Sequence, residues 1–308
     1  MTPDVSVIIP THNPAVGRLQ RTLQGLGRQT LPRDRWELLV IDNASAQPVD
    51  AALATSAHPA ARVIREEKLG LTHARLAGIS AATGRVLIMV DDDNVLREDY
   101  LALALRFLEE HSTVDVVGGL IRGEFEAPPA AWSTPHLWSL ALRDFGPGTR
   151  ISDFAPEGER HAWPVFAPVG AGMVLRMEAV HRYVKFFGQA TSALSDRKGT
   201  SLGSAGDCEM VMHAALLAGR QVAYTADLQL THLIPSGRLT FRYLARLAYQ
   251  SGISWGAFQV VYGFRTRIHP LTLLLRLPRA FLRQAAWTRA GYVAWAGIAG
   301  EFVGRAQR

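Results

Sequence analysis

The chain has 308 residues, 48% hydrophobic and 19% charged, with a formal net charge of +6. That length and apolar content supply a real core for one large domain or two small ones, and exclude an intrinsically disordered chain. The single cysteine, Cys208, excludes an intramolecular disulfide and a cysteine-based metal cage, and fits a reducing, cytoplasmic setting.

No secretory signal is visible: the apolar run Val5 to Pro10 is short, follows Asp4 and has no basic lead. No window carries the roughly 18 uninterrupted apolar residues that span a bilayer. The charge is unevenly spread. Residues 238–308 hold eleven Arg, no Lys, no Asp and one Glu, a net of +10 that leaves −4 for residues 1–237. Such a split marks a face or tail that meets anionic matter, whether phospholipid, nucleic acid or a phosphorylated substrate.

In chain order, Val5 to Pro10 reads as a buried strand followed by a Thr11-His12-Asn13-Pro14 turn. Leu19, Leu23 and Leu26 recur at helical spacing, which predicts an amphipathic helix over 16–29. A second strand, Trp36 to Ile41, ends at Asp42-Asn43-Ala44-Ser45. A short strand at Val63-Ile64 leads to Gly70, and Thr72 is placed to cap a helix that stops at Gly84. Apolar strand, polar end and helix in alternation is the rhythm of a parallel α/β sheet.

The next strand, Val86 to Val90, is apolar on both faces and ends in Asp91-Asp92-Asp93-Asn94. Three unpaired acids cannot continue into a core, so they mark the strand's carboxyl end, where open α/β sheets bind ligands. Clustered carboxylates are hard oxygen ligands suited to Mg²⁺ or Mn²⁺, and the Asp-x-Asp spacing sends two acids to one side. The alternative is a solvated acidic turn capping the next helix. Leu101, Leu105 and Leu108 mark that helix, and Asp115 to Leu120 another strand. Right-handed crossovers then align Asn13, Asp42 and Asp91 to Asp93 on one rim of a nucleotide-binding half, 1–120.

Residues 121–168, with Trp132, Trp138 and Trp163 and no clear period, read as an ordered insertion in an acceptor-side half, 121–237. Gly170 to Leu175 resumes as a strand. Residues 188–206 have the composition of a flexible lid. Asp207-Cys208-Glu209 opens a helix ended by Gly219, and Gln221 to Thr225 with Leu228 to Leu233 read as a β pair reaching His232. Residues 238–308 form a basic helical extension: Arg276, Arg279 and Arg283 recur at helical spacing among Leu, Phe and Trp. Two readings stand for it, a helix on an anionic membrane surface and a basic helix packed on protein.

Val7-Ile8-Ile9-Pro10-Thr11-His12-Asn13, Leu39-Val40-Ile41-Asp42-Asn43-Ala44-Ser45, Gly70-Leu71-Thr72-His73-Ala74-Arg75, Asp91-Asp92-Asp93, Gly170-Ala171-Gly172 and Gly206-Asp207-Cys208-Glu209 together resemble glycosyltransferase family 2. The likeness covers about residues 4 to 240, in the family's order. It implies a GT-A-type, Rossmann-like α/β fold and a hexosyltransferase-type reaction: a divalent metal, Mn²⁺ or Mg²⁺, a nucleotide-diphosphate sugar donor and transfer to a hydroxyl acceptor with inversion. The setting it suggests is polysaccharide, glycolipid or related glycan synthesis.

By the same resemblance Asp93 and Asp91 match metal-binding acids, Asp91 lying nearer the ribose, with Asp92 between them in the nucleotide-sugar site. Asp42 matches an acid that contacts base or ribose, and Pro10, Thr11, His12, Asn13 and Gly70 line the nucleotide-sugar site. Arg75 is either a diphosphate contact or an arginine on a solvated helix face. Asp207 matches the catalytic base, against a reading as the third position of a Ser204 capping box, and Glu209 is a second acid. His232 is either a third metal ligand or a structural histidine. Lys68 and Leu76 stand where the family often has Asn, and Gly206 where Glu commonly precedes the aspartate. Competing classes are a sugar nucleotidyltransferase, whose Gly-rich, Arg-bearing first loop is missing, and a non-catalytic sugar-nucleotide-binding protein. Nucleic acid is not expected as a partner, because the acidic rim would repel it; a homo-oligomer is left open.

Overall fold

The computed structural model describes residues 2–152, 163–189, 202 and 205–307. In chain order its elements are β1 (Val5–Thr11), α1 (Val16–Gly27), β2 (Trp36–Asn43), α2 (Ala51–Ala57), β3 (Arg62–Glu66), α3 (Leu71–Ala81), β4 (Val86–Met89), β5 (Asn94–Leu96), α4 (Tyr100–Glu110), β6 (Val114–Phe125), β7 (Thr149–Ile151), β8 (Val174–Arg176), α5 (Met177–Gln189), α6 (Gly206–Ala214), β9 (Gln221–Ile234), α7 (Phe241–Val261), α8 (Leu273–Arg283) and α9 (Arg289–Ala306). A 3₁₀ segment, Ala131–Leu140, crosses between β6 and β7.

The strands form one sheet in the order β3-β2-β1-β4-β8-β6-β9-β5, with β7 on β9. β1 pairs in parallel with β2 and β4, and β2 with β3. Successive residues of β1 face opposite sides: Val7 and Ile9 pack with Leu19 and Leu23 of α1, and Ile8 with Leu39, Ile41 and Leu87. A strand buried on both faces needs this continuous apolar run. The parallel register carries Thr11, Asp42 and Glu66 to one edge.

The α/β, GT-A-type class expected from the sequence holds, with a mixed sheet, since β8 runs antiparallel to β4 and β6. Several elements differ from expectation. α3 starts after Gly70, whose φ of 146° takes the N-cap position expected of Thr72. α2 and β5 were not expected; a seven-residue Ala-rich helix and a three-residue strand carry too little pattern to read. The expected β pair is one strand, β9, in parallel with β6, and its polar Ala226-Asp227 step is a register shift in which Gly119 and Leu120 face Thr225 and Gln229. The lid expected over 188–206 lies almost wholly outside the described residues.

The basic extension divides. Leu244 and Leu247 of α7 share a core with Leu140, Ile234 and Val293 of α9, so these two helices pack on the sheet domain. Their backbones approach closely: a Cβ on Gly252 would lie 2.3 Å from the Gly297 carbonyl oxygen. α8 stands apart, with Leu274, Leu275 and Leu282 exposed.

The shift between β6 and β9 depends on Gly119, where a Cβ would lie 1.9 Å from the Leu228 carbonyl oxygen. Backbone cannot yield as a flexible side chain does, so Gly119→Ala should lower stability by about 2 kcal/mol or more. A shifted urea midpoint at unchanged denaturant slope is the expected result.

Candidate active site

The acidic turn leaves β4 beside the end of β1 and is pinned by Asn94. The Asn94 amide donates to Asp93 Oδ1 at 3.1 Å, and its Oδ1 accepts from the Asp91 amide at 3.3 Å. β5 then pairs antiparallel with β9 and sets Asn94 opposite His232. That register brings the neighbouring Asp93 to the histidine, 139 residues further on by the numbering and invisible to local spacing.

His232 is buried, and its Nδ1 meets the Leu140 carbonyl at 2.9 Å. With Nδ1 held there, Nε2 is the nitrogen presented to Asp93 Oδ2, 3.4 Å away. Arg238 Nη1 lies 3.1 Å from that carboxylate oxygen and 3.1 Å from Nε2. Burial alone would raise the Asp93 carboxyl; the His232 ring and the Arg238 guanidinium outweigh it and hold it below the ordinary value. The expected third metal ligand and the expected metal acid are therefore neighbours.

Asp93 Oδ2 and His232 Nε2, the imidazole oriented by a backbone carbonyl, are ligand types suited to Mn²⁺ or Mg²⁺, and in this structure both meet the Arg238 guanidinium, which an ion would have to displace. Among the described residues no group of three or more His, Cys, Asp and Glu converges on one point. The pair is thus suited to an ion that takes its remaining oxygens from phosphate and water.

Thr11, ending β1, donates its hydroxyl to Asp92 Oδ2. Burial, with the charges of Asp93 and Asp91, pushes the Asp92 carboxyl up to about 6, against the Thr11 bond. Asp93 is buried, Asp91 and Asp92 are half-buried, and the turn does not cap the next helix, whose N-cap is Asp99.

On the other side of the turn, Arg75 of α3 is 4% exposed, which overturns the solvated-face reading. Its Nη1 donates to Asp207 Oδ1 at 2.6 Å, and the Gly170 amide donates to Asp207 Oδ2 at 2.8 Å. Burial would lower the guanidinium; the charges of Asp207 and Asp91 outweigh it and raise it. A Cβ at Gly170 would lie 2.3 Å from Arg75 Nη2, so the Gly170-Ala171-Gly172 segment is glycine where the ion pair needs the room. Asp207 is the second residue of α6, whose N-cap is Ala205, so the capping-box register does not hold. Its side chain stays 33% exposed.

Other expected residues sit on the same rim with their groups already engaged. Asp42 accepts from the Ser45 and Val49 amides, both at 3.1 Å, and from Arg65 at 2.9 Å. Its carboxylate therefore serves its own loop and does not join the Arg75 or Arg238 clusters. His12 Nδ1 meets the Asn43 carbonyl at 2.7 Å, Asn13 Oδ1 accepts from the Ala46 amide at 2.8 Å, and the Gly70 amide donates to Asn43 Oδ1 at 2.8 Å. These bonds lace the ends of β1, β2 and β3 together. Pro10 is buried in β1 opposite Ile41. Glu209, two residues past Asp207 and so on another helix face, is buried and hydrogen-bonded to Tyr262. Sequence reasoning missed Arg238, which carried no signal beyond the bulk charge of the tail; Asn94, named with the acidic turn, braces that turn and does not cap the next helix, whose N-cap is Asp99.

Between about pH 4 and 6 folded Asp92 holds a proton that the unfolded chain, at 3.8, has released. Its contribution to stability therefore falls as pH rises through that window, whereas lowered Asp93 and Asp42 act below it. Asp92→Asn keeps an acceptor for Thr11 and removes this slope. Relative to the parent it should gain on the order of 1–3 kcal/mol between about pH 4 and 7, read by urea unfolding across pH. Parallel pH curves would contradict the assignment.

Against known proteins, the profile of glycosyl transferase family 2 matches residues 6–181, more than half of the chain. The chain is 32% identical over 129 residues to Glycosyltransferase AglE of Haloferax volcanii, 41% of each chain. It is 32% identical over 114 residues to Polypeptide N-acetylgalactosaminyltransferase 16 of Mus musculus, 36% of this chain and 20% of that one. The matches thus span less than half of these relatives. Among solved structures, S. aureus TarS 1–349 is similar in fold, with a TM-score of 0.53 and 16% identity over 98% of this chain and 89% of that one. The order of motifs, the acidic strand end and the profile match agree: the chain belongs to glycosyl transferase family 2.

Proposed function

We propose that the protein is a metal-dependent, inverting glycosyltransferase that moves a sugar from a nucleotide-diphosphate donor to a hydroxyl acceptor in polysaccharide, glycolipid or related glycan synthesis. The observation that carries this reading is the pair of charge clusters flanking one acidic turn: Asp93 with His232 and Arg238, and Asp207 with buried Arg75. The lone Cys208 is free, which fits work in the cytoplasm.

In this reading the acceptor oxygen attacks the anomeric carbon as the bond to the diphosphate oxygen breaks on the opposite face, so configuration inverts. Asp207 takes the acceptor's proton: it is partly exposed, and the Gly170 amide and Arg75 fix its orientation. A divalent ion held by Asp93 and His232 would neutralise charge developing on the leaving diphosphate. Arg238 and Arg75 hold positive charge beside the same turn, which favours a pyrophosphate and would repel a bare cation. Asp91, Asp92 and Thr11 line the edge between the clusters, and Asp42, His12, Asn13 and Gly70 shape the nucleoside side through the loops they brace.

Asp207→Ala would leave Arg75 buried without its partner and so confound folding with chemistry. Asp207→Asn keeps an acceptor for Arg75 and Gly170. It should retain donor binding, seen as a thermal shift with nucleotide sugar and Mn²⁺, while turnover falls by about 10²-fold or more. Full turnover in that variant would refute Asp207 as the base.

The Asp93 pair carries its own expectation. His232→Ala should abolish the additional thermal shift that Mn²⁺ gives over nucleoside diphosphate alone, about 1–3 kcal/mol of stabilisation at saturating ion. An unchanged Mn²⁺ increment would remove His232 from the ligand set.

A further inference from the structure

From the start of its preceding 3₁₀ turn, α8 carries Leu271, Leu274, Leu275, Pro278 and Leu282 at spacings of three and four, all exposed. Leu274 is 74% exposed, and Trp287, just beyond the helix, 69%. The opposite side of α8 is the packed one: Ala280 is buried, Phe281 meets Trp295 edge-on, and Trp295 Nε1 donates to the Leu277 carbonyl. The inward face is thus satisfied by α9 and the leucine stripe is a second, separate apolar surface. A helix that hides one apolar face and exposes another at full width needs a partner for the second.

The chemistry of that partner is given by the flank. Arg276, Arg279 and Arg283 form the edge between the stripe and the packed side, exposed, and Arg265, Arg267 and Arg289, before and after α8 in the chain, are exposed too. No Asp or Glu occurs from residue 228 to 300. The occupant must be apolar along the leucines and anionic immediately beside them. Two copies of this chain meeting through the stripe would bring arginine flanks together, a like-charge contact. Nucleic acid would satisfy the arginines and leave the leucines in water. A bilayer with anionic headgroups offers acyl chains at one depth and phosphates at the next, in the order the helix presents them. No helix among the described residues is long and apolar enough to cross a membrane, so the contact is with the surface.

We infer that α8 docks the protein on anionic phospholipid through Leu271, Leu274, Leu275, Leu282 and Trp287, with Arg279 and Arg283 on headgroup phosphates. Arg276 is also engaged within the fold, its guanidinium 5.6 Å from the Phe302 ring centre. The docking helix connects to the site through few contacts: α8 to α9 by Trp295, α9 to the 3₁₀ segment by His136 Nε2 and the Ala290 carbonyl at 2.9 Å, and that segment to His232 by the Leu140 carbonyl. The inference stands on α8 and the residues flanking it and is independent of the sugar-transfer reading.

The test is co-sedimentation of the full chain with phosphatidylcholine vesicles, with and without phosphatidylglycerol. Binding is expected only where phosphatidylglycerol is present, and it should weaken as salt shortens the screening length. Two paired variants, Leu274→Ser with Leu275→Ser and Arg279→Gln with Arg283→Gln, should each lower partitioning by roughly tenfold or more. Both pairs alter exposed side chains, so an unchanged thermal melt shows that the fold is intact. Equal binding to neutral vesicles, or indifference to both pairs, overturns the inference. A concentration-dependent dimer in lipid-free buffer that the leucine pair abolishes also overturns it, because it assigns the stripe to a second copy.

Discussion

Consecutive carboxylates at the end of a strand buried on both faces can persist only if positive charge reaches them from elsewhere in the chain. That constraint organises this protein. Asp93 is compensated by Arg238, with the His232 ring beside it, and Asp207, with Asp91 nearby, by Arg75, whose guanidinium is buried and kept charged by those two acids. Each pair has one buried member, Asp93 or Arg75, that would be left with an uncompensated charge if its part-exposed partner were removed, so these contacts help to fix the turn's position.

The compensation draws on every part of the fold. Arg75 comes from α3, Asp207 from the first turn of α6, His232 from β9, and Arg238 from the approach to α7. β5, three residues long, matters because it sets Asn94 opposite His232. Gly170 matters because the arginine occupies the space a side chain would take. The 3₁₀ segment contributes through one carbonyl, that of Leu140, which orients the histidine. A site assembled this way offers charges of both signs around one edge, as a metal-bound pyrophosphate and a proton-accepting carboxylate require.

The parts of this arrangement that sequence could reveal are those written in local pattern. β1, β2 and β4 were legible because strands buried on both faces are continuous apolar runs, and the acidic turn because charge cannot follow such a run into a core. β9 was misread as a pair: the polar Ala226-Asp227 step looks like a turn, and the register shift at Gly119 that absorbs it appears only once β6 lies alongside. Arg75 stood undecided between solvent and site, since helical spacing says nothing about burial of a charge whose partner lies 132 residues away. Arg238 was lost in the tail's bulk charge, and that tail, read as one unit, divides by packing into two buried helices and the open α8. Asp42 sits on the predicted rim, but its carboxylate turns to Ser45, Val49 and Arg65, a local choice that position alone does not encode.

In the proposed reaction a divalent ion on the nucleoside diphosphate would be held by Asp93 and His232, with Asp42 outside its ligand set. The most direct test of that assignment follows free Mn²⁺ by its paramagnetic resonance signal as nucleoside diphosphate and protein are added. Loss of free signal is expected with the parent and with Asp42→Asn, and a signal left at its protein-free level with Asp93→Asn. Equal loss with Asp93→Asn would place the ion elsewhere and contradict the site described above.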